Sequence, residues 1–281
     1  MSNYCIVCDS TQTVSMYTGI VKCKDCGYVY ANLDMTQDEF EGLYNSGYFK
    51  GEEYSDYLAD KSISQRNFNA RLKVLNKYIN PEQHKSLLEV GCAYGFFLEL
   101  AEKSFNHVAG VDVTSEGVEY ARNQLNLNAY QADLLNWDFE QRRFDVACLW
   151  DTIEHLRAPD KYLEKISTKL SPGGLLAVTT GDIESRMARW RKNRWRLIHP
   201  PTHAHYFSHN SLKALLDRYG FDIINFEYCN FYRSMDNVAY NILVLRSNFS
   251  WLYKLLKKLK LLNWGFSINM FDIMYIIARK R

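Results

Sequence analysis

The chain has 281 residues, of which 47% are hydrophobic and 15% aromatic, and its net charge at pH 7 is only +2. That is enough apolar material for one full-sized core and a small accessory module. So small a net charge argues neither for nor against a polyanionic partner by itself, and the shortness of the basic patch at residues 186–196 makes nucleic acid the less favoured partner. No stretch reaches the roughly 18 uncharged apolar residues of a membrane span. Because no charged segment followed by an apolar run indicates a signal peptide, we expect a cytoplasmic protein.

Two C-x-x-C pairs stand near the N-terminus, Cys5 with Cys8 and Cys23 with Cys26. Cytoplasmic thiols stay reduced, so paired cysteines indicate a metal site rather than a disulfide. Each C-x-x-C turn aims both sulfurs at one point, and two such turns complete a tetrahedral thiolate shell around Zn²⁺. We therefore predict a closed, structural zinc ribbon over residues 1–34. Three further cysteines fall in or beside predicted strands and are interpreted as buried bystanders: Cys92, Cys148 and Cys229.

The segment after the cysteines changes character. Residues 35–83 are rich in tyrosine and charge, which predicts a helical cap or linker that Pro81 closes. From residue 84 onward, short apolar runs alternate with segments of helical spacing. This alternation predicts βαβ units and a mainly parallel sheet with helices on both faces. We expect an α/β, Rossmann-like domain of seven strands over residues 84–281.

A turn of small residues, Gly91-Cys92-Ala93-Tyr94-Gly95, joins the first of these strands to a helix. Such a turn lets a ligand approach the backbone at the carboxyl end of the strand. A nicotinamide-binding domain would carry G-x-G-x-x-G, so that a pyrophosphate can sit on the helix N-terminus. This chain has G-x-A-x-G and lacks the third glycine, which disfavours a dinucleotide.

Acidic residues lie at the ends of three successive strands. Glu89 is in the first, Asp112 ends the second and Asp133 ends the third. A carboxylate at the position of Asp112 can accept both ribose hydroxyls of a bound nucleoside. Asp133 is placed to accept an adenine amino group. Three acids at this edge therefore suit a nucleoside without phosphates.

These segments resemble the class I S-adenosylmethionine-dependent methyltransferases. The matching pieces follow that family's order: LLEVGCAYGFFL, VAGVDVTSEGVEYAR, QADLLNW, FDVACLWDTIEHL and LSPGGLLAV. Ala93 stands where the family more often has glycine. The resemblance implies S-adenosylmethionine as cofactor, and the alternative is a Rossmann domain that binds nicotinamide or nothing. The residues implied to contact the cofactor are Glu89, Gly91, Ala93, Tyr94 and Gly95 at the methionine half, Asp112 and Val113 at the ribose, Asp133 and Leu134 at the adenine, and Trp150 and Asp151 beside the sulfonium.

The order of the modules also resembles a narrower group. Four cysteines, a tyrosine-rich segment and a methyltransferase core are similar to bacterial sugar C-methyltransferases and related methyltransferases of glycan gene clusters. This resemblance implies carbon or oxygen methylation of a carbohydrate-type, anionic acceptor, such as a nucleotide-linked sugar or a surface glycan. One alternative is O-methylation of a membrane-associated, quinone-like aromatic lipid, because the Glu-His-Leu element after the fourth strand resembles those enzymes too. Another is a catalytically inactive protein that only binds S-adenosylmethionine.

Methyl transfer from a sulfonium requires an aligned and often deprotonated acceptor, and histidine is the simplest base near neutral pH. His155 follows the fourth strand, so we expect it near the reacting methyl group, with Glu154 as a polarising partner. His203 and His205 lie on a predicted loop over the cleft and are further candidates. Each of these side chains could instead pack or stay solvated. Three aromatic residues could roof the cleft or simply pack: Tyr44, Tyr48 and Phe49.

Two basic segments stand out. Residues 186–196 hold six cations and two tryptophans, which suit a phosphate and a ring or else a solvated helix. Residues 249–264 form a predicted amphipathic insertion before the last strand. Its leucines face one side and its lysines the other between Trp251 and Trp264. Such a helix can rest on an anionic membrane, here the inner face of the cell membrane, or pack on the core or on a second subunit.

Overall fold

The structure is a computed structural model that describes residues 4–43, 58, 60–137 and 142–281. The N-terminal part contains β1 (Thr13–Tyr17), β2 (Ile20–Cys23), β3 (Val29–Ala31), α1 (Gln37–Gly42) and α2 (Lys61–Leu75). The central part contains β4 (Ser86–Val90), α3 (Leu98–Ala101), β5 (His107–Asp112), α4 (Ser115–Asn123), β6 (Ala129–Gln131), β7 (Phe144–Trp150), α5 (Pro159–Lys169) and β8 (Leu170–Gly181). A one-turn 3₁₀ helix, Ile153–His155, follows β7.

The C-terminal part contains α6 (Arg186–Arg191), β9 (His205–Tyr206), α7 (His209–Arg218), β10 (Phe221–Tyr228), β11 (Phe231–Ser234), α8 (Met235–Ala239), α9 (Ser250–Lys258), β12 (Gly265–Ile268) and β13 (Ile273–Lys280). A 3₁₀ turn, Lys192–Arg194, extends α6, and a π-helical segment, Tyr240–Arg246, joins α8 to α9. The aromatic residues Tyr44, Tyr48 and Phe49 lie outside the described residues, so their predicted role over the cleft stays a prediction.

Seven strands form one sheet in the order β10-β13-β8-β7-β4-β5-β6. The strands from β4 to β8 pair in parallel, and β13 pairs antiparallel with both β8 and β10. The predicted Rossmann-like α/β fold, preceded by a small cysteine module, is confirmed. The chain runs outward from β4 in one direction through β5 and β6 and in the other through β7 and β8. The carboxyl ends of β4 and β7 therefore border the crevice where ligands bind in such sheets.

Both faces of this sheet are buried, as alternating strand residues require. Leu88 belongs to the core under α5 and α7, which also includes Tyr28 and Phe207. Leu87 belongs to the opposite core, together with Leu75 of α2 and Phe97. Because α2 packs on the sheet, the segment predicted as a cap or linker contributes to the main core.

The cysteine module shares a sheet with the larger domain. Strands β1, β2 and β3 are extended by β9, so that the order is β1-β2-β3-β9. The register pairs Val29 with Tyr206 and Tyr30 with His205. The N–H group of Ala31 also donates to the carbonyl of Ala204 at 2.8 Å. A strand of only two residues has no sequence signal of its own, and β9 was not predicted.

The amphipathic insertion lies between β10 and β13, as predicted, although its helix α9 ends at Lys258 rather than at residue 264. Lys260 adopts a left-handed backbone with φ 57°, which ends the helical path, and Leu262 then turns into the interior with 5% exposure. The hairpin β11–β12 holds the two ends of the insertion together. Across the described ranges, no helix combines the length and the apolar character needed to cross a bilayer.

Candidate active site

The turn after β4 has the backbone that its small residues allow. Gly91 and Gly95 have φ of 78° and 75°, and Ala93 has φ of 44°. A Cβ atom on Gly91 would lie 2.7 Å from Cγ2 of Thr152, so a side chain at this position has no room beside the segment after β7. The turn is therefore a cradle of backbone atoms at the crevice, and Ala93 replaces the commoner glycine at the cost of a strained conformation.

Asp112 ties this turn to the next strand. Its Oδ2 accepts the N–H of Ala93 at 2.8 Å, and its Oδ1 accepts the N–H and the hydroxyl of Thr114 at 2.9 and 2.6 Å. Burial raises the pKa of Asp112, and the three hydrogen bonds counteract that effect. The carboxylate lies at the carboxyl end of β5, beside the turn, where the sequence placed the ribose contact.

Glu89 is a buried acid without a complete set of partners. Its side chain is 2% exposed, and its Oε2 has no hydrogen-bond partner among the described residues. Burial first, and the nearby Asp112 second, raise its pKa well above the usual range. An orphaned buried oxygen is costly unless a ligand supplies a donor. The ammonium group of a bound amino acid would supply one, which fits the methionine half of S-adenosylmethionine.

The adenine end is less enclosed. The Oδ1 atom of Asp133 accepts the N–H of Leu135 at 2.8 Å and the hydroxyl of Tyr162 at 2.7 Å, which fixes the carboxylate at the end of β6. Val113 is 46% exposed and Leu134 is buried. An exposed apolar side chain beside a fixed carboxylate suits the face and the amino group of a purine. Tyr94 is buried among Phe96 and Tyr120, so only its backbone faces the cradle.

Arg71 of α2 is the site residue that the sequence did not reveal. Its Nη2 lies 2.6 Å from Oδ2 of Asp151, and its guanidinium group lies 5.6 Å from the centre of the Trp150 ring. Asp151 has φ of 50°, and its Oδ1 accepts the hydroxyl of Thr179 at 2.9 Å. The Trp150 ring is buried against Phe97, and its indole Nε1 has no hydrogen-bond partner among the described residues. Arginine is common on helices, which is why no sequence pattern singled out Arg71.

Glu154, His155 and His203 come together next to this pair. One carboxylate oxygen and one nitrogen of each ring all lie within 4.8 Å of one another. The two rings meet edge to face, with centroids 4.5 Å apart. Nδ1 of His203 is 2.9 Å from the carbonyl of Leu197 and donates to it. The structure therefore brings together three of the four predicted catalytic residues, although His203 is distant in the chain from Glu154 and His155.

Burial sets the charge of these groups. It lowers the pKa of His155 well below its usual range and that of His203 to about 4, so both rings are neutral at pH 7. Burial, followed by the nearby Asp151, raises the pKa of Glu154 to about 8. The Oε2 atom of Glu154 has no hydrogen-bond partner within the described ranges. The cluster thus consists of a carboxyl group and two neutral imidazoles that are held without charge.

His205 does not join them. It is 4% exposed, its Nδ1 is hydrogen-bonded to the hydroxyl of Tyr28, and its ring stacks on that of Tyr28 and lies tilted against that of Phe207. Alternation along β9 turns His205 toward the cysteine module. We therefore correct the sequence interpretation and assign His205 to the contact between the module and the core.

The four predicted metal ligands form a compact group. Sγ of Cys5 lies 3.4 Å from Sγ of Cys26, and Sγ of Cys8 lies 3.6 Å from Sγ of Cys23. All four sulfurs lie within 4.8 Å of one another. With Zn–S bonds of about 2.3 Å, tetrahedral sulfurs lie about 3.8 Å apart, so the donor set fits a zinc ion with little adjustment.

The basic segment 186–196 is divided between the surface and the interior. Trp190 is 72% exposed, whereas Trp195 is 3% exposed. The indole Nε1 of Trp195 donates to the buried Asp272 at 2.9 Å, and Arg196 forms two hydrogen bonds to the same carboxylate at 2.6 and 3.1 Å. Part of the predicted cationic patch is therefore used to anchor the start of β13.

Comparison with known proteins identifies the class of this site. Residues 61–225, more than half of the chain, match the family described as "Methyltransferase domain". The chain belongs to this family of S-adenosylmethionine-dependent methyltransferases.

Relatives with assigned names are more distant. The chain is 30% identical over 115 residues to a ubiquinone biosynthesis O-methyltransferase of Coxiella burnetii, which covers 39% of this chain and 49% of that protein. It is 28% identical over 120 residues to the protein of that name from Actinobacillus pleuropneumoniae, covering 39% and 51%. The chain thus spans about half the length of the curated relatives it matches.

Solved structures share the fold. An S-adenosylmethionine-dependent methyltransferase of Thermotoga maritima is similar with a TM-score of 0.53 at 18% identity, covering 88% of this chain and all of that one. Another, from Clostridium acetobutylicum, has a TM-score of 0.53 at 11% identity and covers 80% and 96%. At these low sequence identities, the structural similarity is evidence for the fold alone.

We expect Asp112→Ala to weaken binding of S-adenosylhomocysteine at least tenfold, because the substitution removes the predicted ribose contact and also the hydrogen bond that holds the turn at Ala93. Calorimetric titration of the purified protein measures the effect. Asp145→Ala is the matched control. Asp145 accepts the N–H groups of Lys85 and Ser86 through its Oδ2, at 2.9 and 3.0 Å, near the amino ends of β7 and β4 and away from the crevice. Equal affinity of the two variants would contradict the assignment of Asp112.

The low pKa of His203 predicts a loss of stability in acid. Unfolded His203 binds a proton below pH 6.5, whereas the folded residue does so only near pH 4. The free energy of unfolding should therefore fall as the pH drops through this window. In His203→Asn, the decrease in the free energy of unfolding between pH 7 and pH 5 should be smaller by about 2 kcal/mol. Urea denaturation at the two pH values measures it. The exposed His199→Asn is the control, and an unchanged slope in His203→Asn would refute the buried neutral state.

Proposed function

We propose that the protein transfers a methyl group from S-adenosylmethionine to a carbohydrate-type acceptor, on carbon or oxygen. The observation that carries this proposal is the group of Glu154, His155 and His203 beside the cofactor cradle. When bound, the cofactor supplies an electrophilic methyl group on sulfur. Glu89, the Gly91–Gly95 turn and Asp112 would hold it, and Asp133 would orient its adenine.

Neutral imidazoles beside the cradle suit the handling of a proton. The acceptor must lose a proton as the new bond forms, and a neutral histidine can take it only when the ring is not already charged. Burial keeps both rings neutral at pH 7. The Arg71–Asp151 ion pair, in turn, fixes the floor of the crevice with a short contact of 2.6 Å. In this proposal the site aligns the acceptor and removes its proton.

The carbohydrate class rests on the layout of the chain. A four-cysteine module followed by a methyltransferase core resembles enzymes that modify nucleotide-linked sugars and glycans. The curated relatives share only 39% of this chain, so their acceptor need not be shared. Cytoplasmic action on an anionic, soluble acceptor follows from this proposal.

A second candidate is O-methylation of a membrane-associated aromatic lipid. The curated relatives carry the name of ubiquinone O-methyltransferases. The insertion and the segments that flank it before β13 also expose large apolar side chains: Ile242, Phe249, Trp251, Leu255, Leu259, Leu261, Trp264, Ile268 and Phe271. Residues 237–271 contain five cations and no acid. An apolar surface with this charge complements an anionic membrane, which would bring the enzyme to a lipid acceptor.

We expect labelled methyl groups to enter water-soluble material when the protein is incubated with radiolabelled S-adenosylmethionine and an extract of cells. His203→Gln should lower this rate by about 100-fold while S-adenosylhomocysteine still binds, because the loss falls on proton transfer. Exposed His199→Gln is the control. Label that partitions into organic solvent would favour the lipid acceptor over the carbohydrate. No transfer in either phase, with intact cofactor binding, would support a catalytically inactive binding protein.

We also propose that the four cysteines bind one structural zinc ion. The spacing of the sulfurs supports it, as does the burial of Cys5 and Cys23 in contact with the main core. The thiolate set leaves no open position, so a stabilising role follows.

Removal of zinc should then lower the stability of the whole protein rather than that of the cysteine module alone. The module is joined to β9, which begins two residues after His203. Chelation, or Cys8→Ser, should lower the melting temperature and weaken protection of the amide of Ala204 from hydrogen exchange. Cys229→Ser, outside the module, is the control. An unchanged melting temperature after complete zinc loss would contradict the structural role.

A further inference from the structure

We propose that Glu154, His155 and His203 bind a second metal ion, a divalent transition-metal cation with imidazole and carboxylate ligands. The proposal deepens the proposed function, on which it rests for the identity of the neighbouring ligand. The three donors come from two separate parts of the chain, the 3₁₀ turn after β7 and the segment before β9. They converge at the crevice next to Asp151.

The donor atoms are close enough for one ion. The ligand oxygen and the two ring nitrogens lie within 4.8 Å of one another. Ligands on a common transition-metal ion stand about 2.0–2.2 Å from it, so pairs of them are separated by roughly 3–4 Å. A shift of a few tenths of an ångström in each side chain closes the shell. Two imidazoles and one carboxylate are a common set for Zn²⁺ and for Fe²⁺.

The hydrogen bonds around the two histidines orient them as metal ligands. Nδ1 of His203 donates to the carbonyl of Leu197 at 2.9 Å. The ring of His155 makes the corresponding hydrogen bond to the backbone of Thr202. A neutral imidazole that donates through one nitrogen presents a lone pair on the other, and such a backbone carbonyl is the usual partner of a metal-ligating histidine. Both rings are thus fixed in ligand-competent tautomers.

Glu154, through its carboxylate, gives a second, independent indication of a metal ion at this position. Its side chain is 5% exposed, and its Oε2 has no hydrogen-bond partner in the described part of the chain. The hydroxyl of Thr180 donates to the carboxylate, which fixes its orientation. A buried carboxylate oxygen without a donor is expensive, and a cation would satisfy it. Coordination would displace the proton of Glu154 to solvent.

Three protein ligands leave positions open, unlike the four-sulfur site. An oxygen of the acceptor can occupy one of them. The ion would then lower the pKa of an acceptor hydroxyl, which releases its proton to water. The oxygen forms a bond to the methyl carbon as the bond from that carbon to sulfur breaks, which gives a methyl ether and S-adenosylhomocysteine. With the ion bound, the two imidazoles act on the acceptor's proton through the ion that they hold, in place of the direct base role proposed above, which favours oxygen over carbon as the methylated atom.

The test is metal stoichiometry, which does not depend on activity. Protein purified without chelator and dialysed against Zn²⁺ should contain two metal ions per chain by elemental analysis. Glu154→Gln and His203→Gln should each contain one, and so should Cys8→Ser. His199→Gln should retain two, because exposed His199 lies beside His203 but outside the group of three donors.

Spectroscopy assigns the second ion. After replacement by Co²⁺, wild type should show the thiolate-to-cobalt band of the cysteine site together with weak visible bands of a nitrogen and oxygen site. Only the latter should disappear in Glu154→Gln, which keeps the shape of the side chain. A wild-type content of one ion, with an unchanged spectrum in Glu154→Gln, would overturn the proposal. Calorimetric binding of S-adenosylhomocysteine in the same samples reports separately on the methyltransferase assignment.

Discussion

One buried residue, Ala204, connects the N-terminal cysteine module to the candidate active site through its backbone. The carbonyl of Ala204 accepts the N–H of Ala31 in the cysteine module, and the N–H of Ala204 donates to the carbonyl of Glu154 at 2.9 Å. Ala204 is fully buried, so both hydrogen bonds are shielded from water. His203 precedes this residue and His205 follows it. The backbone of Ala204 thus holds the histidine loop against Glu154 in the 3₁₀ turn after β7, and the cysteine module in turn holds Ala204.

The sheet and the cofactor cradle could be predicted because their signals are local. Alternating apolar runs, the small residues from Gly91 to Gly95 and the acid at Asp112 all act within a few residues of chain. The same holds for the cysteine pairs. Each of these patterns reflects the conformation or the ligand chemistry of its own short segment, so it can be recognised without knowledge of contacts with distant parts of the chain.

The acceptor side could be predicted only in part, because it depends on contacts between distant segments. Arg71 has no neighbouring motif, and its importance follows only from its ion pair with Asp151, 80 residues away in the chain. His203 and His205 share the same local pattern, yet one faces the crevice and the other faces Tyr28. His203 lies before β9, whereas His205 is held in β9 opposite Tyr30, and β9 exists because β3 offers an edge.

The shared sheet also has a consequence for the order of events during synthesis on the ribosome. The four cysteines emerge before the large sheet, so the zinc ion proposed for them could bind while that sheet is unmade. The edge of β3, however, stays open until His205 and Tyr206 have left the exit tunnel. An unpaired strand edge is a template for aggregation. The nascent module therefore passes through a vulnerable interval that spans the translation of five of the seven strands of the Rossmann-like sheet.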